Sequence, residues 1–130
     1  MGSGGFGVVF VEQIIELDHL KVVNKKPKNV DDDNDFMKKW HNEFKLAMNL
    51  NGHDHIIEYK YFIREGDQFS LVMEYLPGGT LQQFIHDNSK LLTYERVRQF
   101  AHQLIKGIVH MHSFKIKHQD LKPGNILLNA

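Results

Sequence analysis

The chain of 130 residues has no cysteine, which excludes disulfide staples and thiolate metal sites and fits a reducing, intracellular setting. It has no net charge either. Sixteen lysines and arginines balance sixteen aspartates and glutamates, so no overall field draws it to nucleic acid or to an anionic membrane surface. No apolar run approaches the roughly 18 residues that mark a membrane span. The start has no basic segment leading into an apolar one, and Phe6 stands where a myristoylation pattern needs Ser or Thr, so neither secretion nor lipid anchoring is signalled. These absences predict a cytoplasmic protein with no nucleic-acid and no membrane partner; oligomeric state is not legible. What is there is ordinary: 42% hydrophobic and 25% charged residues with mean hydropathy −0.40, the make-up of a folded domain with one core.

The most informative stretch runs His118-Gln119-Asp120-Leu121-Lys122-Pro123-Gly124-Asn125 into the apolar Ile126-Leu127-Leu128. Phosphoryl transfer asks for a carboxylate to accept a substrate hydroxyl's proton, a cation for the migrating group and an amide oxygen for magnesium. Asp120, Lys122 and Asn125 supply these in that order. At the other end, Gly2-Ser3-Gly4-Gly5-Phe6-Gly7-Val8-Val9 has the glycines that let backbone N–H groups approach phosphate oxygens. A dinucleotide fingerprint would need a strand before those glycines and a helix after them. Only Met1 precedes, and Val8-Val9-Phe10-Val11 reads as a strand leaving the loop.

Together these stretches resemble the eukaryotic protein kinases, whose catalytic loop reads H-R-D-L-x-x-x-N and whose glycine-rich loop reads G-x-G-x-x-G-x-V. The resemblance implies nucleotide contacts at Gly2, Gly4, Gly5, Phe6, Gly7 and Val9. It also implies ATP and Mg2+ as cofactors, with Asn125 as a metal ligand.

Between the two motifs, Val22-Val23 is β-rich, and His19 to Lys26 resembles the third strand of a kinase small lobe, after a hairpin near Glu16-Leu17-Asp18. On that reading Lys21 grips the nucleotide's α- and β-phosphates, although the family writes V-A-I-K where this chain has Asp18-His19-Leu20-Lys21. The acidic run Asp31, Asp32, Asp33 and Asp35 lacks the glycine and terminal glutamate of an EF-hand and suits a helix N-terminus. Phe36, Met37, Trp40, Phe44, Ala47, Met48 and Leu50 repeat at helical spacing. Glu43 lies beside that apolar face and resembles the helix C glutamate that pairs with the strand lysine, here Lys21. His53 and His55 could be drawn as a metal pair, but third and fourth ligands are missing. They resemble the turn that follows helix C.

Tyr59 to Ile63 and Phe69 to Tyr75 predict a hairpin about Arg64-Glu65-Gly66-Asp67. The second strand, running into Pro77-Gly78-Gly79, resembles the kinase gatekeeper and hinge. Met73 would stand at the back of the pocket, with Glu74 and Leu76 presenting backbone to adenine. Thr80-Leu81-Gln82-Gln83 has capping-box spacing and predicts a short helix with Leu81, Phe84 and Ile85 inward. Thr80 would lie near the ribose, and Leu127 completes the implied nucleotide contacts. Val97, Phe100, Ala101, Leu104, Ile105, Ile108 and Met111 predict a helix from Thr93 to His112.

The implied fold is α+β and kinase-like: an antiparallel small-lobe sheet with helix C and hinge over 1–76, then the first helices and catalytic loop of an incomplete large lobe over 77–130. The implied activity is transfer of the ATP γ-phosphoryl group to Ser or Thr hydroxyls of a protein substrate, Lys122 being the choice of the serine/threonine type. Gln119 replaces the arginine that in many relatives binds an activation-loop phosphate. The sequence stops before any D-F-G, so both ends read as cut, little transfer is expected of these residues alone, and the helix at Thr93–His112 should show apolar surface. Two rivals stand beside this reading: a non-catalytic, pseudokinase-like regulatory module, and a small-molecule phosphotransferase, which would lack the Leu-Lys-Pro run.

Overall fold

The computed structural model describes residues 10–17, 20–27, 34–66 and 68–129. Their elements fall into two compact units, one ending at Tyr75 and the other beginning at Leu76.

The first unit is a sheet and a helix. Strands β1 (Phe10–Leu17), β2 (Leu20–Pro27), β3 (Tyr59–Glu65) and β4 (Gln68–Glu74) form an antiparallel sheet in the order β1-β2-β4-β3. Helix α1 (Asn34–Met48) lies between β2 and β3 in the chain. Strands β1 and β2 pair from Phe10↔Pro27 down to Leu17↔Leu20, consistent with the hairpin expected near Glu16-Leu17-Asp18; positions 18 and 19 lie outside the described residues. Strand β4 is central, and its Phe69-Ser70-Leu71-Val72-Met73 run is buried throughout. That is why it reads as an apolar stretch broken only by Ser70, whereas edge strand β3 alternates over residues 60–63.

The helix forms where the 3.6-residue period predicts it and buries most of that stripe, but Met48 in its last turn is 39% exposed and Leu50 is buried just beyond its end. Met37 and Trp40 pack with Tyr59, Phe69, Leu71 and Met73 into one core cluster, which Val23, Phe36, Phe44, Ala47, Ile57 and Phe62 flank. Its rings meet in preferred geometries: Phe62 stacks on Phe69 at 5.4 Å, and Trp40 meets Phe36 edge-on at 6.0 Å. Truncating a buried tryptophan such as Trp40 typically costs about 3–5 kcal/mol. After the helix, Asn51 anchors the return to the sheet. Its Nδ2 donates to the Tyr59 carbonyl at 2.7 Å, and its Oδ1 accepts from the Tyr59 N–H at 3.1 Å, so one side chain stands in for a strand partner where β3 begins.

The second unit is helical. Helix α2 (Leu81–Asp87) carries the expected capping box at Thr80 and Gln83. Leu81 is buried and Phe84 half-buried, but Ile85, expected inward, is 37% exposed because a seven-residue helix of under two turns has too narrow an inner face for it. Helix α3 (Tyr94–Ser113) is capped by Thr93, whose side chain accepts from the Arg96 N–H. Phe84 meets Phe100 edge-on at 5.9 Å, with Arg96 5.5 Å over the Phe84 ring. Phe100, Leu104, Ile108 and Met111 are half-buried, while Val97 (50%), Ile105 (58%) and Val109 (62%) are exposed, in line with the apolar surface expected there. Among the described residues no helix is long and apolar enough to cross a membrane.

Candidate active site

The loop after α3 turns back sharply. Lys115 (φ 60°) and Gln119 (φ 66°) have left-handed backbone, a conformation that costs non-glycine residues free energy and collects at functional sites. Beside Gln119, the Asp120 N–H donates to His118 Nδ1 at 3.2 Å, so in the neutral ring the proton sits on Nε2. Burial pushes the His118 imidazole below its usual range, against a smaller opposing pull from the Asp120 carboxylate. The histidine is therefore an uncharged strut for the backbone of Asp120.

Pro123 opens a 3₁₀ turn, Pro123–Asn125, which folds Asn125 back over Asp120. Asn125 Nδ2 donates to the Asp120 carbonyl at 2.8 Å and to Asp120 Oδ2 at 3.0 Å. Lys122 Nζ lies 3.5 Å from the same Oδ2. Asp120 and Asn125 are half-buried and Lys122 is exposed. The structure thus brings together the three residues the loop motif singles out: a carboxylate, a cation beside it, and an amide whose nitrogen is spent on the aspartate. Asn125 Oδ1 is left as the atom for a ligand, and as a hard oxygen donor it fits magnesium.

The segment after Asn125 pairs with the stretch that leads into α2. Thr80 bridges Leu127, so these two residues, both expected at the nucleotide, are neighbours. Thr80 Oγ1 accepts from the Gln83 N–H at 3.1 Å while Gln83 Oε1 accepts from the Thr80 N–H at 2.9 Å. Leu76 is half-buried and Leu127 exposed.

In the first unit, Met73 is buried in the core cluster opposite Tyr59 and Val23. Glu74 exchanges bonds with Glu58: its N–H donates to the Glu58 carbonyl at 2.9 Å, and its Oε1 accepts the Glu58 N–H at 2.7 Å. Glu43 is half-buried on the inner stripe of α1, and burial raises its carboxyl above the ordinary 4.5. Lys21 is not brought to it. It sits opposite Glu16, before the Val22–Lys25 stretch that pairs with β4, and it is exposed. No ion pair joins it to Glu43 among the described residues.

Sequence reasoning passed over Lys25. This residue is half-buried and lies opposite Leu71, on the same sheet face as Val23 and Met73 and so on the side where α1 packs. The missed signal was the frame: Val22-Val23-Asn24-Lys25 keeps the V-x-x-K spacing that Asp18-His19-Leu20-Lys21 lacks. Gly2, Gly4, Gly5, Phe6, Gly7 and Val9 lie outside the described residues. His53 and His55 hold each other, Nδ1 of the first accepting the N–H of the second at 3.1 Å. No group of three potential metal ligands exists among the described residues.

The chain is 31% identical over 129 residues to serine/threonine-protein kinase PrkC of Bacillus subtilis, covering 99% of this chain and 20% of that protein. It is 30% identical over 132 residues to mitogen-activated protein kinase kinase kinase 5 of Arabidopsis thaliana, covering 100% of this chain and 18% of that one. Over 78 residues, 60% of this chain and 16% of the relative, it is 40% identical to the human serine/threonine-protein kinase ULK3. The chain thus spans a fifth or less of the length of these relatives. The family described as protein kinase domain matches residues 1–130. With an α+β fold of kinase type and a catalytic-loop motif in place, the chain belongs to the protein kinase family.

Proposed function

We propose that these residues are the nucleotide-facing part of a serine/threonine protein kinase, which transfers the γ-phosphoryl group of Mg2+-ATP to a Ser or Thr hydroxyl of a protein. The observation that carries this reading is the Asp120–Lys122–Asn125 arrangement. Asp120 accepts the hydroxyl proton as the oxygen attacks phosphorus, and its geometry is held by Asn125 and by His118. Lys122 offsets the negative charge that spreads over the migrating group, a preorganised electrostatic contribution of the kind that dominates this chemistry. Asn125 Oδ1 offers a ligand to magnesium. When bound, the metal neutralises phosphate charge and draws the phosphates into register.

For the phosphate-gripping lysine, exposure and register favour Lys25 over Lys21, with Glu43 as its counter-ion on α1. Met73, Glu74, Leu76, Thr80 and Leu127 are assigned to the nucleotide's base and ribose. We assign 1–76 to the small lobe and hinge and 77–130 to the start of the large lobe. Transfer by residues 1–130 alone is expected to be weak, because Asn125 contributes only one neutral oxygen to the metal. Gln119 supports the alternative of a binding or regulatory module, since a neutral amide anchors phosphate poorly.

The experiment is a phosphate-transfer assay with γ-labelled ATP on the native protein that contains this chain, with D120N as control. Label on serine or threonine that disappears in the variant supports the reading. No label in either overturns it in favour of the regulatory module, and equal label in both overturns the role given to Asp120.

A further inference from the structure

We propose that the stretch leading into α2 is a clamp that positions Asn125, with Gly79, Thr80 and Gln83 as its positioning residues. The functional meaning of the clamp rests on the reading of Asp120 to Asn125 as a catalytic loop; its existence does not.

Asn125 is held from two sides. On its N-terminal side, its own N–H donates to the Lys122 carbonyl at 2.9 Å, closing the 3₁₀ turn. On its C-terminal side the chain enters a short ladder: Leu81 N–H donates to the Ile126 carbonyl at 2.8 Å, Leu128 N–H to the Gly79 carbonyl at 2.9 Å, and Gly78 N–H to the Leu128 carbonyl at 2.9 Å. A helix opens with N–H groups that lack intrahelical partners. In α2, the first of these goes to Ile126 rather than to a cap, so the helix start and the catalytic segment complete each other's hydrogen bonding.

That ladder exists because three side-chain features agree. Thr80 is extended (φ −91°, ψ 152°) and forms an isolated antiparallel bridge with Leu127 just before the helix begins. The reciprocal Thr80–Gln83 bonds lock that conformation. Gly79 has φ +68°, and a Cβ there would lie 2.7 Å from Gln83 Oε1, the atom that holds the Thr80 N–H. Glycine is thus required twice at position 79, for its backbone angle and for the space the capping glutamine fills. An ordinary cap would serve α2 alone. Here the same bonds set where Ile126 lies, and so where the adjoining Asn125 presents Oδ1.

The test is amide hydrogen exchange and side-chain NMR on the chain without nucleotide, comparing T80A, Q83A and the conservative T80S. T80A is expected to speed exchange of the Leu81, Leu128 and Gly78 amides by about five- to tenfold, the loss of a typical N-cap, and to shift the Asn125 side-chain NH2 resonances. T80S should restore both. T80A and Q83A each remove one of the reciprocal bonds, so Q83A should move the same signals, and the test survives if T80A fails to fold. Faster exchange confined to Phe84 and Asn88, with Leu128 and Asn125 unchanged, overturns the proposal. So does an opened ladder that leaves the Asn125 resonances in place. Because no nucleotide is present, failure of D120N to affect transfer would remove the kinase reading without touching this result.

Discussion

Asn125 spends both hydrogens of its amide on Asp120, at 2.8 Å to the carbonyl and 3.0 Å to Oδ2. One residue therefore restrains the Asp120 carboxylate with its amide nitrogen and keeps the other amide atom, Oδ1, for the metal proposed above. The two roles separate under substitution. N125D keeps an oxygen for magnesium but puts a carboxylate against a carboxylate and a carbonyl, and should destabilise the loop by about 1–3 kcal/mol, the cost of leaving partly buried groups unpaired. N125A loses both roles and should lower transfer by about 10²–10³-fold, as removal of one preorganised electrostatic group does. Thermal unfolding and initial rates over a magnesium titration measure both. Wild-type stability in N125D would mean that the contacts with Asp120 carry no load.

The two candidate lysines can be told apart. K25M should depress transfer by about 10²-fold or more, again on the scale of a lost electrostatic group. K21M, at an exposed position away from β4, should stay within about 0.5 kcal/mol of wild type in stability and near it in rate. Single-turnover transfer by the two variants decides, and a silent K25M beside a dead K21M would return the role to Lys21.

Much of this was legible in the sequence where one physical signal dominated. The 3.6-residue stripe gave α1 and α3, the buried run gave β4, and the Thr80 to Gln83 spacing gave the cap. Lys21 and Lys25 could not be told apart there, for a physical reason. A β-strand has a period of two, so lysines four apart on one strand share a face, and local pattern cannot say which of them lies beside the central strand. Only the pairing of Val22–Lys25 with β4 separates them. The clamp was equally hidden, because its bonds join backbone groups far apart in the chain and need no distinctive side chain at Ile126 or Leu128.

Acidification should affect His118 and Glu43 in opposite senses. For His118, burial lowers the folded pKa below the ordinary 6.5. Its contribution to stability is complete above that value and is lost as pH falls from there through the folded pKa, because the unfolded chain then binds more protons. For Glu43, burial raises the folded pKa above 4.5. Its favourable contribution is complete below that value and is lost as pH rises through the folded pKa. E43Q should therefore raise stability at neutral pH and flatten this part of the profile, while losing the counter-ion proposed for Lys25. An NMR titration reads both groups directly. A His118 midpoint above 6.5 would mean that burial does not dominate the surroundings of this ring.

Two glycines near the loop make opposite demands. At Gly124 an added Cβ would meet Gln82 Oε1 at 2.9 Å, the far end of an exposed, flexible side chain, which can swing aside. G124A should change stability by no more than about 0.5 kcal/mol. At Gly79 the backbone is left-handed (φ +68°) and the colliding atom is Gln83 Oε1, already bonded to the Thr80 N–H. G79A therefore pays about 1–2 kcal/mol for the backbone angle and breaks half of the capping box as well. Chemical denaturation of both variants, followed by a probe in α2 or α3, should rank G79A well below G124A. Equal tolerance at the two positions would mean that the turn before α2 relaxes without cost and that its glycine is incidental.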